Sequence, residues 1–160
     1  MRHVVFSGCL MMVALCTAGC AKNPVSAGPA KLVQVRNSYG LETVGGDQFF
    51  WLGGEPATMV IDAGQAGPAL LRAKEFWFGP SAPDLLFRTL VTECGQHRIQ
   101  YRFTKDSKGV PIQLDRGMQE CRIWCKDAPS VLKQPNGDTR VLLLGLKGYY
   151  LADALGGGHK

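Results

Sequence analysis

Apolar and polar residues alternate in several segments of this chain, and residues 98–103 show the pattern most clearly. They read Arg-Ile-Gln-Tyr-Arg-Phe, so every second side chain is apolar. This period of two predicts a strand with one face on a core and the other toward water. Residues 85–94 are apolar and β-branched, as in a buried strand, and Gly95-Gln96 offers a tight turn between the two segments. We therefore predict an antiparallel hairpin over about residues 85–103.

Shorter apolar segments on either side of this hairpin also have the character of strands. Before it they cover residues 32–35, 49–52, 58–62 and 70–78, and stretches rich in glycine, proline and asparagine separate them. After it, residues 139–146 form a continuous aliphatic run that fits a central strand or a buried helix equally well.

Two segments have the spacing of a helix. Met118, Cys121 and Cys125 recur every three to four residues after Asp115, which could cap a helix of about three turns ending near residue 127. Gly117 and residues 122–124 count against this helix. A second, short helix is predicted over residues 149–155. The whole pattern predicts an α+β domain, mainly an antiparallel sheet with one or two packed helices.

The first twenty residues have the pattern of an export signal. A basic start precedes an apolar run over residues 4–15, which is shorter than the roughly 20 apolar residues of a membrane span. The following Ala18-Gly19-Cys20 resembles the lipobox of bacterial lipoproteins. That resemblance implies cleavage before Cys20 and a lipid on its thiol, with residues 1–19 as the signal peptide. A simple secretory signal is the alternative.

The rest of the chain divides into three segments of different composition: a tether, a domain and a tail. Residues 20–30 are small, polar and proline-containing, which predicts a flexible tether between the lipid and the domain. Residues 31–155 have the size of a single globular domain, and residues 156–160 are expected to form a disordered tail. Lys and Arg number 18 against 13 acidic residues, a formal net charge of +5. No basic run interleaved with aromatics appears, so we expect no nucleic-acid partner.

The domain contains three cysteines, Cys94, Cys121 and Cys125. Export would place them in an oxidising compartment, where disulfides persist. We expect Cys94 to pair with Cys121, or alternatively with Cys125. Cys121 is favoured because Cys125 lies nearer the following loop. The third thiol would be buried and inert, or would link two copies.

A metal site is the alternative use of the same residues. Cys94, His97, Cys121 and Cys125 have spacings that could surround zinc. Because oxidation competes with zinc in an exported protein, we expect no metal and no other cofactor. No nucleophile signature accompanies His97, so we also expect no enzymatic activity.

Two aromatic triplets raise a question about the surface. They are Phe49-Phe50-Trp51 and Phe76-Trp77-Phe78. Successive side chains of a strand point to opposite faces, so neither triplet can bury all of its rings on one side. Either a helix covers the second face, or an aromatic patch is left for a ligand or a partner protein.

The order of these elements is similar to that of the surface-adhesin protein E family of bacterial lipoproteins. The matching pieces are a strand ending in Asp62, a long strand over residues 69–78, a strand ending in Cys94, a strand over residues 97–103 and the region of Cys121. The resemblance implies an antiparallel sheet packed with a helix, a disulfide near Cys94, and binding of host extracellular-matrix or plasma proteins. It assigns no ligand-contacting residue.

Together these features predict a lipid-anchored protein of the bacterial cell envelope, held in the outer membrane through Cys20. Its expected role is non-enzymatic protein binding, with surface adhesion to host proteins as the form that the resemblance implies. The alternative is a periplasm-facing accessory of a secretion, conjugation or envelope-assembly machine, or an inhibitor or immunity protein.

Overall fold

The computed structural model describes residues 29–128, 137 and 139–153, and in this part of the chain the regular structure is entirely β-strand. The prediction of an α+β domain with packed helices is therefore wrong. None of these residues belongs to a helix that could cross a lipid bilayer. The strands are β1 (Lys31–Arg36), β2 (Glu42–Val44), β3 (Asp47–Leu52), β4 (Ala57–Ala63), β5 (Gly67–Arg72), β6 (Glu75–Phe78), β7 (Phe87–Cys94), β8 (His97–Thr104), β9 (Val110–Leu114), β10 (Gly117–Cys125), β11 (Leu144–Lys147) and β12 (Tyr150–Asp153).

The strands form three antiparallel sheets. A five-stranded sheet has the order β1-β4-β10-β7-β8, a four-stranded sheet β2-β3-β11-β6, and a three-stranded sheet β12-β5-β9. Contacts of β9 with β7 and β8, and of β12 with β1, bring the edges of the three-stranded sheet to those of the five-stranded sheet. The apolar inner faces of these two sheets therefore enclose one core.

The predicted hairpin is confirmed as β7 and β8. Their register runs from Phe87 opposite Thr104 to Cys94 opposite His97, so Gly95 and Gln96 form the two-residue turn. Gly95 has a φ of +56°, a left-handed conformation that suits glycine in such a turn.

The helix predicted after Asp115 is the strand β10. Cys121, Ile123 and Cys125 point inward and are at most 2% exposed, while Glu120 and Arg122 point outward and are exposed. This period of two fits the segment better than the helical spacing. Strand β10 also pairs with β4 over residues 117–123 and with β7 over residues 121–125, so backbone hydrogen bonds favour the extended form along the whole strand.

The second predicted helix is also wrong in its described part. Tyr150–Asp153 is the strand β12, which pairs antiparallel with β5. The aliphatic run over residues 139–146 leads into the strand β11, which lies between β3 and β6. The single segment expected over residues 70–78 is divided at Ala73-Lys74 into β5 and β6, which belong to different sheets.

The four-stranded sheet packs against the same core. Its inward side chains include Phe50, Leu52, Leu144 and Leu146, each 0% exposed and part of the same apolar cluster as the other two sheets. The signal peptide, Cys20, most of the tether and the C-terminal tail predicted from the sequence lie outside the described residues.

Candidate functional site

The structure contains the disulfide between Cys94 and Cys121 that the sequence favours. The two residues lie directly opposite each other on β7 and β10, with their Cα atoms 4.3 Å apart. Both side chains are buried in the core, at 1% and 0% exposure. The disulfide therefore joins β7 and β10 on the core-facing side of the sheet.

The third domain cysteine is a free, buried thiol. Cys125 is 2% exposed and lies opposite Leu90, four residues beyond Cys121 along β10. Burial raises the pKa of this thiol to about 12. Such a thiol is a poor nucleophile at neutral pH because the reactive thiolate is scarcely populated.

The residues of the zinc alternative are not arranged as a metal site. The disulfide occupies the sulfurs of Cys94 and Cys121. His97 instead lies beside Asp115, with Nε2 and Oδ1 3.1 Å apart. Within residues 29–128, 137 and 139–153, no cluster of three or more His, Cys, Asp or Glu side chains could hold a metal ion.

The two aromatic triplets meet in the four-stranded sheet, where their outward rings form a common surface. Gly145 of β11 lies opposite Trp51 of β3 on one side and opposite Trp77 of β6 on the other. Lys147 lies in the same way between Phe49 and Glu75 in the next row. We call these outward residues the aromatic face: Phe49, Trp51, Glu75, Trp77, Gly145 and Lys147.

The rings of the aromatic face contact one another. Phe49 meets Trp51 edge to face at 5.0 Å between ring centroids and meets Trp77 at 4.9 Å. The two indoles are 6.5 Å apart. Phe49 is only 1% exposed although it lies on the outer side of the sheet, whereas Trp77 keeps 36% of its surface exposed. The indoles therefore cover Phe49 and provide the accessible part of the cluster.

Glycine at position 145 makes this arrangement possible. A Cβ atom there would lie 2.6 Å from Cζ of Phe49 and 3.1 Å from Cζ3 of Trp51. A side chain at this position would therefore occupy the space that the Phe49 ring fills. Sequence reasoning missed this residue, although a single glycine inside the aliphatic run over residues 139–146 is a signal of close approach.

A polar group completes the aromatic face on one side. Nζ of Lys147 donates to Oε1 of Glu75 at 2.6 Å, and Nε1 of Trp77 donates to Oε2 of the same carboxylate at 3.0 Å. These two donors, Lys147 first, lower the pKa of Glu75 below its usual range. Glu75 thus fixes the orientation of the Trp77 indole and stays ionised at neutral pH.

Of the two alternatives for these outward rings, a covering helix is absent from the described residues, which leaves an aromatic patch. The face also has a defined place in the fold. Strand β1 starts at Lys31, where the chain enters the domain, and the residue after its other end contacts β3 of the four-stranded sheet. At that end, Asn37 donates to the Trp51 carbonyl and the Cys125 amide donates to the Gly53 carbonyl.

A buried arginine attaches a neighbouring loop to the four-stranded sheet. Arg88 is 3% exposed, and its guanidinium donates to the carbonyls of Ala82, Leu85, Phe87 and Leu143 at 2.8–3.0 Å. Burial lowers its pKa. Because Leu143 directly precedes β11, this one side chain connects the sheet to the loop that displays Leu86, which is 80% exposed.

The comparisons with known proteins give no relative from which a role could be transferred. No family model matches the sequence, and no curated protein matches it.

Proposed function

We propose that this protein is a lipid-anchored component of the bacterial cell envelope that binds a protein partner through the aromatic face. The observation that carries the proposal is the outward cluster of Trp51, Trp77 and Phe49, which no helix of the described chain covers. Tryptophan is enriched at the centres of protein interfaces, where it contributes much of the binding free energy.

The chemistry of the face suits a protein surface. Indole rings offer a large apolar area at a small cost in side-chain entropy, and Glu75 and Lys147 supply polar groups beside it. Since Phe49 is held beneath the indoles and Glu75 holds Trp77, the surface is ordered before binding. Preorganisation of this kind lowers the entropy lost on association.

The position of the face fits a tethered protein. A lipid at Cys20 and a tether of residues 20–30 would allow a reach of at most about 35 Å from the membrane to the domain. The tether joins the domain at the start of β1, and β1 spans about 20 Å. Trp51 of the aromatic face contacts Asn37 just beyond the other end of β1, so the tether joins the domain away from this indole.

Site-specific photo-crosslinking tests the binding role. A photoreactive residue replaces Trp77 in the full-length protein in cells, and a control variant carries it at Arg116, an exposed position in the loop between β9 and β10. We expect one discrete protein adduct from position 77, weakened by Trp51→Ala, and none from position 116. Equal adducts from both positions, or no adduct from position 77, would contradict the proposal.

Metabolic labelling with palmitate tests the anchor. We expect label in the wild-type chain and its loss in Cys20→Ser, together with a shift from the detergent phase to the aqueous phase on partitioning. A Cys20→Ser chain that stays labelled would exclude this anchor.

Protease treatment of intact and permeabilised cells tests the adhesive form of the hypothesis. Digestion on intact cells supports a surface role such as adhesion. Protection until the outer membrane is permeabilised excludes adhesion and favours a periplasmic partner.

A further inference from the structure

A row of four charged residues and one threonine crosses the outer face of the five-stranded sheet. The strand register places one residue of each strand in this row, in the order Arg36, Thr58, Arg122, Glu93 and Arg98. The three arginines come from β1, β10 and β8, which are distant in sequence. The fold therefore gathers cations that appear scattered along the chain.

The arginines are regularly spaced and accessible. Neighbouring strands lie about 4.8 Å apart, so successive arginines, which occupy every second strand, are separated by about 10 Å. The side chains of Arg36, Arg122 and Arg98 are 56%, 59% and 61% exposed. Glu93 lies between two of them and is hydrogen-bonded to both, which orders the row.

Two further cations, Arg102 and Lys126, extend this surface along the sheet, and two of its arginines lie over aromatic rings. The guanidinium of Arg98 lies over the Trp124 ring at 5.4 Å, and that of Arg102 lies over the Phe87 ring at 4.0 Å. Lys126 donates to the neutral side chain of Gln100 at 3.1 Å. Within the described part of the chain, the contacts of Arg102 include no carboxylate.

The charges of this surface do not cancel. It carries two carboxylates: Glu120 pairs with Arg36, and Glu93 pairs with both Arg98 and Arg122. Together with Arg102 and Lys126 the surface has five cations, so its excess is three positive charges, out of a formal net charge of +5 for the whole chain. Farther along the sheet Lys31 lies opposite Asp62 and adds no net charge. We call this surface the arginine face: Arg36, Glu93, Arg98, Arg102, Glu120, Arg122 and Lys126.

We propose that the arginine face binds an acidic polysaccharide. Guanidinium groups pair with carboxylate and sulfate oxygens through two parallel hydrogen bonds, and stacking on an aromatic ring orders the guanidinium. The row repeats at about 10 Å, the length of a disaccharide in an extended chain, so one linear polymer meets successive arginines. The sheet presents these groups side by side, as a linear ligand requires.

The geometry favours a polysaccharide over the headgroups of the anchoring membrane. The row passes through Arg36, the last residue of β1, whereas the tether joins the domain at Lys31, where β1 begins. The surface also differs from the aromatic face, which belongs to another sheet. The two proposals can therefore fail separately.

The test measures binding of sulfated dextran fragments to the full-length protein in neutral detergent micelles by calorimetry. The variant Arg36→Gln/Arg102→Gln/Arg122→Gln removes three cations and leaves Glu93 bonded to Arg98. A control of equal charge, Lys105→Gln/Lys108→Gln/Arg116→Gln, changes exposed residues elsewhere. Circular dichroism establishes that both variants are folded.

We expect the first variant to lower affinity by about ten-fold or more and the control by less than about two-fold, as three exposed ion pairs allow. Uncharged dextran should not bind, and Trp51→Ala should bind normally. Equal losses in both variants would overturn the proposal, because net charge alone would then explain binding. Tighter binding of polyglutamate of matched charge would assign the face to an acidic protein instead, and displacement of dextran sulfate by phosphatidylglycerol in the micelles would assign it to lipid.

Discussion

Replacing Gly145 by alanine tests the packing that builds the aromatic face. The new Cβ atom would lie 2.6 Å from Cζ and 2.7 Å from Cε2 of Phe49, well inside van der Waals contact. The Phe49 ring cannot move freely because Trp51 and Trp77 lie against it. We expect the ring to tilt outward and to displace both indoles.

The stability change follows from two opposing contributions. Overpacking of this kind costs about 1–3 kcal/mol. Replacing a glycine within a strand returns about 0.5–1 kcal/mol because the unfolded chain loses freedom. The expected net loss is about 1 kcal/mol, which for a domain of this size lowers Tm by about 4 °C.

Thermal unfolding measures the loss, and near-ultraviolet circular dichroism reports the tryptophan environment. Phe49→Leu supplies the matched control, because leucine lacks the two ring atoms that the new methyl group meets. In a double-mutant cycle, Gly145→Ala should be tolerated better by about 1 kcal/mol in the Phe49→Leu protein. A Gly145→Ala protein with a Tm within about 1 °C of wild type and an unchanged near-ultraviolet spectrum would refute the reasoning.

Two further predictions concern buried polar groups. Arg88→Met retains much of the side-chain length but leaves four carbonyl acceptors without their donor. It should lower the free energy of unfolding by about 3–4 kcal/mol in urea titrations, and a loss under about 1 kcal/mol would contradict this role. The pKa of Cys125 is raised from 9.0 to about 12, so iodoacetamide at pH 8 should modify this thiol slowly in the folded protein and rapidly in urea. Between these two pKa values only the thiol of the unfolded chain ionises. The contribution of buried Cys125 to stability is therefore complete below about pH 9 and falls as pH rises toward 12. Cys125→Ala should flatten that decline, and an unchanged decline would show that other groups cause it.

The sequence pattern was sufficient where local signals agreed. The β7–β8 hairpin combines a clear alternation with a glycine turn, and both lie within twenty residues. The same kind of pattern gave a wrong prediction for β10, because Met118, Cys121 and Cys125 have helical spacing by coincidence. The alternation of Cys121, Ile123 and Cys125 was present in the same segment. Pairing with β4 and β7 decides between the two forms, and that pairing depends on residues far away in the chain.

The candidate surfaces also depend on contacts between strands that are distant in the sequence. Alternation required some aromatic rings to point away from the core, so part of the aromatic face could be anticipated from Phe49-Phe50-Trp51. The role of Gly145 could not, because it depends on which strand lies between β3 and β6. The arginine face was also hidden, since Arg36, Arg122 and Arg98 become neighbours only through the strand register.

The central place of β10 has a consequence for the order of folding. The pairs β1–β4 and β7–β8 can form early from nearby segments, but they remain separate halves until β10 enters between β4 and β7. Contacts between distant segments form slowly because the intervening chain must first be closed into a loop. Cys94 and Cys121 lie opposite each other where β10 pairs with β7. We expect oxidation of this pair to hold β10 beside β7, so that pairing of β10 with β4 is the remaining step that joins the two halves.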